Sequence, residues 1–166
     1  MGTRTTFQGK VRSYGGRDPR NEVTPGVSVL SVIVSCDPTQ TDATDAAAKM
    51  RIGTSATSGE FFVLPKGAVP HSVTTINAST GGTNPTVDIG SSDDSDGIFN
   101  EVDCDTKGSI QGGGGALVVP GGLASDTTVT AIAGSSAATG GTSSFVITYT
   151  VTDDGTSGTT PDGGYA

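Results

Sequence analysis

The chain has 166 residues, a formal net charge of −8, and only 33 Leu, Ile, Val and Phe residues. That supply of bulky apolar side chains excludes a large core, and with the charge it borders on the composition of chains that do not fold alone. The single histidine, His71, excludes a histidine-based metal cluster, and no apolar run reaches the length of a membrane span.

Charge is unevenly placed along the chain. Residues 1–20 hold Arg4, Lys10, Arg12, Arg17 and Arg20 against Asp18, whereas the remainder holds four basic and sixteen acidic residues. Gly9, Gly15, Gly16, Pro19 and Pro25 punctuate the same region, so residues 1–25 read as an extended basic arm without a core of its own. No apolar segment of secretory-leader type opens the sequence, and synthesis in the cytoplasm is the expectation.

A β-domain is expected over residues 26–152, followed by a Gly/Thr-rich tail at 153–166. GVSVLSVIVS, residues 26–35, has apolar residues on both faces and reads as a central strand. Residues 45–50 suit a helical turn or two, capped by Asp42 or Thr44. Further strands are expected at 60–64, 72–76, 86–90, 98–102, 116–119, 127–133 and 144–152. The last alternates best, with Phe145, Ile147, Tyr149 and Val151 on one face. About eight short strands at this spacing predict an all-β, antiparallel, jelly-roll-like β-sandwich with an extended N-terminal arm. A core this thin favours burial against other subunits, and an oligomer is expected.

No enzyme is expected. No serine sits in a G-x-S-x-G elbow. The glycine run at 112–115 lacks the Lys-Ser/Thr of a phosphate loop, and reads as a tight turn or a close approach to another backbone. The Gly/Ser/Thr-rich loop at 134–142 reads as mobile or pressed against a partner. Asp94-x-Asp96-Gly97, with Asp103 at the closing position, has the spacing of a calcium loop. Ser92 stands where the first Asp belongs, and Asp103 replaces the usual Glu. The segment therefore reads as a hydrated acidic turn, with Asp94, Asp96 and Asp103 as the calcium candidates and no metal or other cofactor expected. Cys36 and Cys104 read as two small thiols in a reducing compartment, with a disulfide as the alternative.

The most specific sequence signal is LPKGAVPHSVTTINASTGGTNPTVDIGSSDDSDGIFNEVDCD, residues 64–105. It resembles a β-module of tailed-phage virion proteins, in which LPxGA, a strand, G-x-x-PTVDIG and a D-x-DG loop recur. The resemblance covers about a quarter of the chain and implies a particle component located in the virion: a head decoration, cement or fibre protein. A homotrimer on the head exterior, bound to the major capsid protein and stabilising the shell across neighbouring capsid subunits, is the leading expectation. A fibre or tail accessory protein that binds a host-surface glycan is the alternative. The arm supplies the expected capsid contacts: Arg4, Lys10, Arg12, Arg17 and Arg20 for carboxylates, with Phe7 and Tyr14 as apolar anchors. Nucleic acid is not the expected partner, because the acidic body would repel phosphate, and neither is a membrane.

Overall fold

The computed structural model describes residues 29–77 and 82–151, together with the backbone of residues 14–17 and 23–25. Within these, twelve strands form: β1 (Tyr14–Arg17), β2 (Val23–Pro25), β3 (Val29–Cys36), β4 (Arg51–Ile52), β5 (Val63–Leu64), β6 (Ala68–Asn77), β7 (Thr86–Gly90), β8 (Phe99–Asp103), β9 (Ile110–Gly112), β10 (Thr127–Thr128), β11 (Thr130–Ala133) and β12 (Ser143–Val151). Every pairing between them is antiparallel.

The strict alternation of SSFVITYTV makes β12 the axis of the fold. It pairs with β3 along one edge and with β6 along the other, in a five-stranded sheet of order β4-β3-β12-β6-β9. A three-stranded sheet, β11-β7-β8, lies over it. The period of two aims Val34, Val73, Phe145 and Ile147 of one sheet, and Val87, Ile89, Phe99, Val102 and Ala131 of the other, into one buried cluster. The result is an all-β sandwich. Each large side chain taken wholly out of water contributes roughly 1.5–3 kcal/mol, and Phe99, Phe145, Met50 and Leu64 lead the fully buried set. A two-stranded patch, β10-β5, closes one end of the core with Leu64 buried beneath it.

Several elements differ from expectation, each for a local reason. The strand expected at 116–119 is a turn: its backbone is committed to residues 97 and 115, through Leu117 N–H to Gly97 O at 2.7 Å and Val118 N–H to Gly115 O at 3.0 Å. The segment 127–133 divides at buried Val129, whose N–H donates to Phe62 O, so that β10 and β11 join different sheets. At 60–64 only Val63 and Leu64 form a strand, while Phe61 bridges Arg51. β6 starts at Ala68, four residues earlier than expected, and contains Pro70 and His71. Its register against β12 shifts there, with Thr148 opposite Ser72 and Tyr149 opposite Pro70. A bulge is where a strand tolerates a residue without an N–H. The helical turn is 3-10, Ala46–Ala48, capped by Asp45 rather than Asp42 or Thr44. Asp42 instead accepts from Thr44 N–H at 2.9 Å in a turn of its own. β3 is central only at its end, since β4 covers just Val34 and Ser35 and Val29, Leu30 and Ile33 remain exposed.

Candidate functional site

Of the arm residues expected to contact a capsid, Arg4, Phe7, Lys10, Arg12 and Arg20 lie outside the described residues. Tyr14 and Arg17 are the two ends of β1, which pairs with β2 as an antiparallel ribbon whose register shifts between them. Part of the segment read as an extended arm is thus a two-stranded ribbon, and among the described residues it joins neither main sheet.

The acidic loop between β7 and β8 is folded by its own backbone. Ser91 N–H donates to Asp94 O at 2.8 Å, Gly97 N–H donates to Asp94 O at 3.2 Å, and Ser91 Oγ accepts from the N–H groups of Asp93 and Asp94. A side-chain hydrogen bond with Asp96, then burial and the like charge of Asp96, raise the Asp94 carboxyl above its ordinary value. Asp103 is engaged elsewhere. Its Oδ1 accepts from the N–H groups of Asp105 and Thr106 at 3.0 and 2.9 Å. Burial opposes ionisation of Asp103, but these donors hold its carboxyl below the ordinary value. The three calcium candidates therefore divide into a coupled pair and a turn cap. Among the described residues no three His, Cys, Asp or Glu side chains come together as a metal cluster.

Both glycine-rich loops are held within the chain. Residues 112–115 cross the Gly97–Ile98 step so closely that a Cβ on Gly115 would lie 2.2 Å from the carbonyl carbon of Gly97. The loop that follows β11 is clamped by Glu101, a residue that sequence reasoning passed over. Its Oε1 accepts from Ser135 N–H at 2.8 Å, and its Oε2 accepts from Ser135 Oγ at 2.9 Å and from the Thr86 hydroxyl. The Thr86 hydrogen bond is the main cause of a lowered Glu101 carboxyl, against an opposing effect of burial, and the Ser135 donors add to it. Glu101 adopts φ 55°, a region uncommon for residues other than glycine, and its own N–H donates to Asp88 Oδ1 at 2.8 Å. Burial raises the Asp88 carboxyl, and the charges of Glu101 and Asp96 raise it further, against the Glu101 N–H bond. No local pattern in IFNEVD announces the clamp, because its partners are contributed by β7 and by the loop after β11.

His71 lies within β6, not in a loop before it, and its Nε2 is 2.9 Å from Thr150 Oγ1. Cys36 and Cys104 are both buried, and no disulfide joins them. Burial, then the neighbouring Cys104 and Asp37, pushes the Cys36 thiol far above its ordinary value. Cys104 Sγ donates to Pro85 O at 3.1 Å. Phe61, exposed at the sheet edge, lies beneath two cations, with the Arg51 guanidinium carbon 4.3 Å and Lys49 Nζ 5.2 Å from the ring centroid. No helix among the described residues is long and apolar enough to cross a membrane.

No protein-family model matches the chain, and no curated protein matches it. Among solved structures, a chain of the Cyanophage Pam1 capsid asymmetric unit is similar at 17% sequence identity and a TM-score of 0.49, over 92% of this chain and 100% of that one. A likeness of that degree leaves the function to be argued from the chain itself.

Proposed function

We propose that the chain is a decoration, or cement, protein of a tailed-phage head. It binds the major capsid protein on the outside of the shell as a homotrimer, without catalytic chemistry or a cofactor, and attaches through the basic arm. The observation that carries this reading is where the resembling segment falls. Residues 64–105 run through β6, β7 and β8 and give Val73, Val87, Ile89, Phe99 and Val102 to the core. The phage-like module is therefore the framework of the fold rather than a surface insertion. A protein that binds only the assembled shell stabilises it by RT ln(1 + [L]/Kd), roughly 2.7 kcal/mol per site at a hundredfold excess over Kd. Many such sites delay heat or osmotic rupture.

The experiment compares complete particles with particles lacking this protein. Depleted heads are expected to release DNA at a lower temperature, and added protein to restore them. Deletion of residues 1–25 should weaken co-sedimentation with undecorated heads while circular dichroism keeps its β signal. Equal rupture temperatures, with a change in host adsorption alone, would replace the cement reading with the glycan-binding fibre reading.

A further inference from the structure

The outer faces of the two sheets differ in charge. On the three-stranded sheet, Asp88 of β7 and Glu101 of β8 interact across the strands, beside the loop that carries Asp93, Asp94 and Asp96. On the five-stranded sheet, the positions that alternate away from the core hold no Asp or Glu in β3, β6, β9 or β12. The register sets Ile33, Val146, Thr74 and Ile110 side by side across four neighbouring strands. Adjacent partners of this kind stand about 5 Å apart, so the four side chains form one continuous stripe. Ile33 is 44% and Ile110 72% exposed, and Val29 on the same face is 68% exposed. Serines and threonines fill most of the positions between them. Isolated exposed apolar residues are ordinary. Here exposed Ile33 and Ile110 stand at the two ends of one row, with half-buried Val146 and Thr74 between them, on strands that hold no carboxylate in a chain with 17 acidic residues.

We propose that this face is the self-association surface, and that its occupant is a second copy of the chain presenting the same face. Charge decides the occupant. Two copies, each at −8, repel through most of their surfaces. The carboxylate-free face is where they can meet without placing like charges in contact. The row of β-branched side chains then packs sheet on sheet, as the inner faces of a sandwich do. β12 and β6 run to nine and ten residues and β9 to three, but Ser35, Ser144 and Thr150 are buried on this face, so the open footprint is on the order of 300 Å² per copy, below the standard size of a specific interface. Weak association, seen towards high-micromolar concentration, follows. The same face presented by both copies is a self-complementary contact and closes as a dimer about a twofold axis. This contact does not depend on the capsid role, and the homotrimer proposed above needs a separate, heterologous contact.

Sedimentation velocity of the full chain, up to high-micromolar concentration, is the test. Wild type is expected to associate. Raised salt should strengthen the association by screening the net charge, whereas attachment through a basic arm should weaken with salt. Ile33→Lys/Ile110→Lys should weaken self-association at least about tenfold, with an unchanged β signal by circular dichroism. Val119→Lys, at an exposed apolar site outside the stripe, should associate like wild type. If the lysine variant fails to fold, Ile33→Thr/Ile110→Thr keeps the β-branched shape and should show the same direction of change. Wild type that remains monomeric overturns the proposal, as do stripe variants that associate as wild type does. So does a full chain that is monomeric but associates once residues 1–28 are deleted, since that makes its own N-terminal segment the occupant. Binding to phage heads is read separately, and a chain that self-associates through this face without binding heads would sink the cement reading alone.

Discussion

The crossing of residues 112–115 over the Gly97–Ile98 step gives two neighbouring glycines opposite roles. A Cβ added at Gly115 would stand 2.2 Å from both the carbonyl carbon and oxygen of Gly97 and 2.5 Å from Asp96 O. All three are backbone atoms, so no side chain can rotate to relieve the overlap. The two crossing segments must separate, and the hydrogen bonds from Gly115 N–H to Ile98 O at 3.3 Å and from Leu117 N–H to Gly97 O at 2.7 Å lengthen or break. Two backbone bonds at about 1 kcal/mol each, with overpacking of about 1–3 kcal/mol, give a destabilisation of roughly 3–5 kcal/mol for Gly115→Ala. For a domain of this size the melting temperature should fall by roughly 6–20 °C. A Cβ added at Gly114 would meet no heavy atom within 4 Å, and Gly114 lies outside the left-handed region. Gly114→Ala should therefore be neutral, or stabilise by up to about 1 kcal/mol by restricting the unfolded chain. Thermal and urea denaturation of both variants, followed by circular dichroism, makes the comparison. Two variants that melt together would refute the close crossing.

The Glu101 clamp predicts a pH signature. Its carboxyl is lowered in the fold, so the stability it contributes is present above the unfolded value, about 4.3, and is lost as pH falls through the lower folded value. The melting-temperature gap between wild type and Glu101→Gln should accordingly be constant near neutrality and close in acid; a gap that persists below the folded value would contradict it. Asp88 carries the opposite sign: its folded carboxyl is raised, so protonation as pH falls relieves the fold, and Asp88→Asn should be neutral or stabilising at pH 7 and lose that advantage in acid. Clear destabilisation by Asp88→Asn at pH 7 would count against that assignment. Burial keeps Cys36 and Cys104 from a thiol reagent, so labelling should be slow in native protein and fast in urea; rapid native labelling would show the thiols exposed. Calcium titration should leave the melting temperature unchanged, and a micromolar shift abolished by Asp94→Ala/Asp96→Ala would establish a site.

The strands easiest to anticipate are those whose burial repeats every second residue. In β12, Phe145 and Ile147 alternate with Val146 and Thr148, and in β7 Val87 and Ile89 alternate with Thr86 and Asp88. Such a pattern is a local property of the chain, and with the scarcity of bulky residues and the turn-forming Gly and Pro it is sufficient for an antiparallel all-β sandwich. Pairing across distance is not local. The sequence of 127–133 alternates without interruption, yet Val129 N–H donates to Phe62 O and the strand changes sheets there. Pro70 argues against a strand until the bulge opposite Tyr149 accommodates it. Leu117 and Val118 have strand-like side chains, but their backbone is consumed by the crossing at Gly97 and by Gly115. Glu101 carries no signal by itself, because its role is defined by Thr86 and Ser135, fifteen and thirty-four residues away. The acidic balance of the body and the absence of carboxylates from β3, β6, β9 and β12 were legible in the sequence, whereas the row of Ile33, Val146, Thr74 and Ile110 came from the register of those strands. Side-chain periodicity is written residue by residue along the chain; which face a residue shares, and with whom, is decided only when distant strands pair.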